Sequence, residues 1–235
     1  MESYSEFLNR INSFQKPELE LGEGDFEVNE SLKKKVQDDN SFATFYGDTV
    51  VFDLDDTTKE LLADCTDKLY TVVPNCFCEK LVSNTFHMTL HDLSNSPILS
   101  DVAEDVFKNE IALAKKAKAQ PIAMQTIEME STCVFNMVNT SLVMGLKPVN
   151  ENEYKKLMEL YNYVDSIRGL PYPFTPHITL AYYNRNGFSY DEKLKLENVV
   201  NQINKNPIKV KINTASLFYQ KFMNMNDYIS VMTLI

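Results

Sequence analysis

Histidine is the side chain that titrates nearest neutrality, and this 235-residue chain contains only three. Two fall in one short stretch, "TFHMTLHD", as His87 and His91, and the third, His177, lies in "FTPHITLAYY". His87 and His177 each open the same four-letter phrase: histidine, an apolar residue, threonine, leucine. In an extended strand residues i and i+2 share a face. Each phrase therefore presents an imidazole and a hydroxyl together, His87 with Thr89 and His177 with Thr179, backed by apolar residues on the other side. A neutral imidazole takes a proton and an imidazolium gives one, because the unperturbed pKa is about 6.5. Threonine hydroxyls donate hydrogen bonds to oxygens on which charge develops. Two imidazoles and two hydroxyls around one cleft suit in-line displacement at a phosphodiester, with no metal and no other cofactor required.

Other side chains are candidates by strand parity. His91 and Tyr183 fall on the same expected faces as His87 and His177, so both are candidates to line the cleft, against a hydrogen-bonded or surface histidine near the strand end and a core-edge tyrosine. Tyr219 and Lys221 share a face of "SLFYQKF" and are candidates for substrate binding, Lys221 as a phosphate clamp against the reading of a solvated lysine, and Arg168 is a similar cation. The four cysteines are scattered, with one Cys76-x-Cys78 pair and no second pair nearby. They read as reduced thiols and not as a metal cage. The ten methionines are read as core filling.

These phrases must be held by an ordered frame, and the chain has the means. Its apolar fraction is 44%, and its length allows one large domain or two small lobes. The net charge of −10 excludes a long basic groove for nucleic acid, while leaving room for a small phosphorylated ligand. No apolar run approaches the roughly 18 residues of a membrane span, so a cytoplasmic protein is expected. Residues 1–40 are charge-rich and read as an N-terminal extension, with "NESLKKKVQDDN" on a solvated face; the domain is expected over 41–235.

From residue 44 the element order is regular. "TFYGDTVVFDL" reads as a strand, "DTTKELLADCTDKLY" as a helix, and a Pro74 loop leads to the His87 strand. A helix over about 101–119 follows, then strands "PIAMQTIEM", "TCVFNMVN" and "SLVMGLK". A helix over 153–167 precedes the His177 strand. After it come a helix over about 191–204 and strands "PIKVKIN", "TASLFYQKF" and "YISVMTLI". Each histidine strand is thus followed by helix, strand, strand, strand, which is the signature of an internal duplication.

The pair "HMTL" and "HITL", 90 residues apart, resembles the two-histidine phosphoesterase superfamily, which includes RNA 2′,5′-ligase-like proteins and cyclic phosphodiesterases. The resemblance spans about residues 41–235, and its specific part is the two phrases and their order. It implies a bilobal, pseudo-symmetric α+β fold, with two antiparallel-rich sheets flanked by helices around a central cleft. It implies metal-independent chemistry at a 2′,3′-cyclic phosphate, a 2′,5′-linked nucleotide or an RNA end. The family's motif positions fall on His87, Thr89, His177 and Thr179. One alternative keeps the cleft as a non-catalytic binder of a nucleotide or RNA end. Another is set by "VVFDLDDTT", which mimics the nucleophile motif of haloacid-dehalogenase-type phosphatases. It would make Asp53 a Mg²⁺-dependent nucleophile on a parallel α/β sheet.

Overall fold

The structure, a computed structural model, describes residues 2–235. Eight strands form one sheet: β1 (Tyr46–Asp53), β2 (His87–Ser96), β3 (Thr126–Met137), β4 (Ser141–Pro148), β5 (His177–Tyr182), β6 (Lys209–Asn213), β7 (Leu217–Asn224) and β8 (Asp227–Thr233). Their order across the sheet is β6-β3-β4-β5-β2-β1-β7-β8 and every pairing is antiparallel. The five helices are α1 (Tyr4–Phe14), α2 (Asp56–Val72), α3 (Leu99–Ala119), α4 (Glu151–Asp165) and α5 (Tyr190–Ile203).

The expected α+β, pseudo-symmetric organisation is present, with one difference in how the halves meet. β6-β3-β4-β5 and β2-β1-β7-β8 are two four-stranded halves, joined at a single pair, Met88 opposite Ile178. What the sequence suggests as two sheets is one sheet with a thin seam. The histidine strands are the two members of that seam. α3 packs on β1 and β2, α4 on β2, β3 and β4, and α2 on β5 and α5.

Local chemistry explains the helix starts. Ser3 and Glu6 form a reciprocal capping box on α1, and Asp55, Asn150 and Ser189 accept backbone N–H bonds at the starts of α2, α4 and α5. The expected strands over 121–129 and 132–139 prove to be one strand, β3, with a register irregularity between Ser131 and Val134. The strands that follow the histidine strands also cross between halves: β3 and β4, which follow α3, join the β5 half, whereas β6, which follows α5, stays in that half beside β3 and only β7 and β8 join β1 in the β2 half.

The expected solvated extension over residues 1–40 takes a different arrangement. Leu19, Phe26, Leu32 and Val36 from this stretch belong to the main core. Phe7 and Ile11 of α1 are buried with Tyr154 of α4. A buried lysine of α5, Lys193, donates to the carbonyls of Gly22 and Gly24, and Phe26 pairs with Phe188 by two backbone bonds. The charged residues of "NESLKKK" hide a periodic apolar pair, Leu32 and Val36, four apart and both fully buried.

Candidate active site

The cleft lies over the seam. Antiparallel pairing of Met88 with Ile178 sets His87 across from Thr179 and Thr89 across from His177. Met88 and Ile178 themselves are fully buried. The cleft has a volume of about 150 Å³, and its lining includes His87, Thr89, His177, Thr179, Asp92 and Lys35. All four motif residues are therefore brought together, as their spacing predicts.

Both imidazoles are held alike. His87 Nδ1 bonds the Thr85 carbonyl at 2.7 Å, and His177 Nδ1 bonds the Thr175 carbonyl at 2.8 Å. A carbonyl only accepts, so each Nδ1 carries the proton and each Nε2 is left for the cleft. Burial lowers both imidazole pKa values. The carbonyl bond and Asp92 oppose that at each histidine, Asp53 also opposes it at His87, and Lys35 adds to it at His177. The His87 ring rests edge-on against Tyr228, with centroids 5.0 Å apart.

Lys35 is the residue that sequence reasoning misses. It lies in the charge run that reads as a solvated face, yet its ammonium sits 5.2 Å from the centroid of Phe45 and 5.4 Å from that of Tyr182. It forms no ion pair among the described residues, and burial lowers its pKa while Asp92 raises it. The signal available in the sequence is its place between Leu32 and Val36, which fixes its direction once those two are buried.

His91 and Tyr183 are not in the cleft, and one cause accounts for both. On β2, Thr89 faces Val51 and His91 faces Val50, so Leu90 is an extra residue. On β5, Thr179 faces Val143 and Ala181 faces Leu142, so Leu180 is extra. Each bulge shifts strand parity by one. Asp92 and Tyr182, each five residues after its histidine, therefore enter the cleft. His91 turns away, buried at 1% exposure, and bonds Asp165 Oδ1 of α4 at 3.0 Å. Tyr183 is fully buried among Phe26, Phe77 and Phe188, and its hydroxyl has no partner.

Lys221 and Tyr219 point to the α3 side, not to the cleft. Lys221 pairs with Glu110 at 2.6 Å, and buried Tyr219 donates to Asp48 Oδ2 at 3.0 Å. Arg168 is likewise engaged, with Ser94 Oγ and Asp105. The haloacid-dehalogenase reading loses its frame, because β1 runs antiparallel to both neighbours. Asp53 is paired with Lys59 at 2.6 Å, and Asp55 is the cap of α2. No helix is long and apolar enough to cross a membrane among the described residues. The four cysteines are free, and burial pushes the Cys76 and Cys78 thiols up to about 12.

Comparison with known proteins returns structural likeness only. No protein-family model matches the chain, and no curated protein matches it. A conserved protein of unknown function from Agrobacterium tumefaciens, ATU0111, superposes with a TM-score of 0.65 at 13% identity, over 89% of this chain and 94% of that one. The two share a fold. Escherichia coli LigT, in a structure with 3′-AMP, gives a TM-score of 0.48 at 14% identity, over 80% of this chain and 96% of that one. TT0787 of Thermus thermophilus gives 0.46 at 15% identity, over 79% and 95%.

Proposed function

We propose that this chain is a two-histidine phosphoesterase, a metal-independent phosphodiesterase acting on a 2′,3′-cyclic phosphate or a 2′,5′-linked nucleotide or RNA end. The observation that carries the reading is the matched pair of imidazoles. Each is locked by the carbonyl two residues before it, and each offers Nε2 to the same cleft.

In the proposed reaction one neutral imidazole takes the proton of the attacking hydroxyl or water. The other, protonated, gives its proton to the departing oxygen. Thr89 and Thr179 donate to the non-bridging phosphate oxygens, and the unpaired ammonium of Lys35 supplies the positive charge that a phosphoryl group needs. Asp92 offsets part of the lowering that burial imposes on both histidines.

The test is turnover of 2′,3′-cyclic nucleotides and 2′,5′-linked dinucleotides in EDTA by the wild type, His87→Ala and His177→Ala. Activity that survives EDTA and is lost in both variants is expected. Full activity in the double variant would sink the reading, and tight binding without turnover would establish a non-catalytic nucleotide binder instead.

A further inference from the structure

The cleft has a neighbour. A second cavity, of about 250 Å³, lies beyond the His87–Tyr228 ring pair and shares His87, Thr85 and Tyr228 as its wall. Its other lining residues include Asp53, Asp227 and Gln220. Acceptors here are not all used within the protein. Gln220 Nε2 donates to Ser230 Oγ at 3.0 Å, while its buried Oε1 has no partner. Asp53 gives Oδ1 to Lys59.

The first cavity has the phosphate-binding groups together with apolar surface from Phe222, Met225 and Tyr182, against which one nucleoside can lie. A phosphodiester has two arms. If one nucleoside occupies the first cavity, the opposite arm leads past His87 into the second. There the acceptors match a base edge that presents adjacent N–H donors, as guanine does through its ring N–H and exocyclic amine.

We infer that the substrate carries two nucleosides, that the leaving nucleoside sits in the second cavity with a guanine-type donor edge on the Asp227 carboxylate, and that His87 is the general acid. This rests on the phosphodiesterase reading above. For a 2′,5′ linkage the step balances as follows. The 3′-hydroxyl of the first nucleoside loses its proton to His177 Nε2, and its oxygen bonds phosphorus. The P–O5′ bond breaks, and His87 Nε2–H protonates the departing oxygen. A 2′,3′-cyclic phosphate and a nucleoside with a free 5′-hydroxyl result, and solvent returns the two imidazoles to their starting states. The assignment of His87 as the acid rests on its place in the wall shared by the two cavities, while His177 is the histidine at which Lys35 disfavours the protonated state.

The experiment uses 2′,5′-linked dinucleotides with guanosine or uridine as the leaving nucleoside, and a version with sulfur in place of the bridging 5′-oxygen. A thiolate departs without a proton, so His87→Ala should recover most of its lost rate on the sulfur substrate, and His177→Ala should not. The wild type should prefer guanosine about tenfold, and Asp227→Asn should lose most of that preference. Recovery in His177→Ala instead, or a preference untouched by Asp227→Asn, would overturn the inference. Calorimetry with a 3′-deoxy dinucleotide, which cannot react, reads the same preference without turnover. Equal binding of the two bases overturns the second-cavity assignment by itself. Base-dependent binding in a wild type that cleaves nothing would overturn the phosphodiesterase reading and uphold the occupant of the second cavity.

Discussion

At the scale of single residues, the cleft separates groups by what their loss should do. His87→Ala and His177→Ala should each lower kcat by about 10²–10⁴-fold, the range for one proton-transfer group. Lys35→Met should lower kcat/KM about 10- to 100-fold, as expected for a hydrogen bond from a charged donor. It should not lower the melting temperature, because it removes a desolvated charge that has no ion-pair partner among the described residues and rests only over the rings of Phe45 and Tyr182. A fall in stability together with activity would show that Lys35 is structural. The pH profile follows from the two imidazoles. Activity needs one of them protonated and the other neutral, and both have pKa values lowered from the usual histidine value by burial. The free-enzyme profile, read as kcat/KM, should therefore peak on the acidic side of about 6.5 and fall as pH rises, because the acid loses its proton. A bound phosphate dianion or monoanion favours the imidazolium, so the kcat profile should sit at higher pH. A kcat/KM optimum above 8 would contradict this. The four motif residues were fully legible in the sequence because two-residue periodicity holds from each histidine to its threonine. Lys35 was not, because the single apolar pair Leu32 and Val36, four apart in a charged run, is too short a pattern to show that their face is buried in the core.

At the scale of elements, the paired bulges at Leu90 and Leu180 decide which side chains reach substrate. Simple alternation selects His91 and Tyr183; the extra residue in each strand selects Asp92 and Tyr182. A bulge changes pairing by one residue without altering composition, so the sequence carries the histidine strands clearly and the faces beyond the bulge not at all. Tyr183 offers the sharpest check. Its buried hydroxyl has no partner. Tyr183→Phe should therefore raise stability by about 1 kcal/mol, or about 2–4 °C in melting temperature for a chain of this size. Activity should be unchanged. A loss of activity would return Tyr183 to the substrate side. The order of helices and strands is legible because strong helical and alternating periodicities mark them. The joining of two expected strands into β3, and the exchange of β3 and β7 between halves, are set by tertiary pairing.

At the scale of the whole molecule, the first 40 residues are woven into the rest. Leu19, Phe26, Leu32 and Val36 lie in the main core, and burying such side chains is worth about 1.5–3 kcal/mol each. That total approaches the 5–15 kcal/mol by which domains are stable at all. We expect a fragment of residues 41–235 to lose its near-ultraviolet circular dichroism and cooperative melting; a fragment that melts like the full chain would restore a separate extension. Composition gave no hint of this, since a segment rich in charge still contributes a core through a few well-placed apolar residues.

The thin seam and the twinned histidines pose a question of direction. A chain made of two equal halves presents two chemically interchangeable imidazoles, and such a site has no forward direction: substrate could enter either way round. Lys35 comes from a stretch that lies outside the repeated helix and strand order, so its charge reaches one histidine and has no twin at the other. That segment gives a near-palindromic site a beginning and an end.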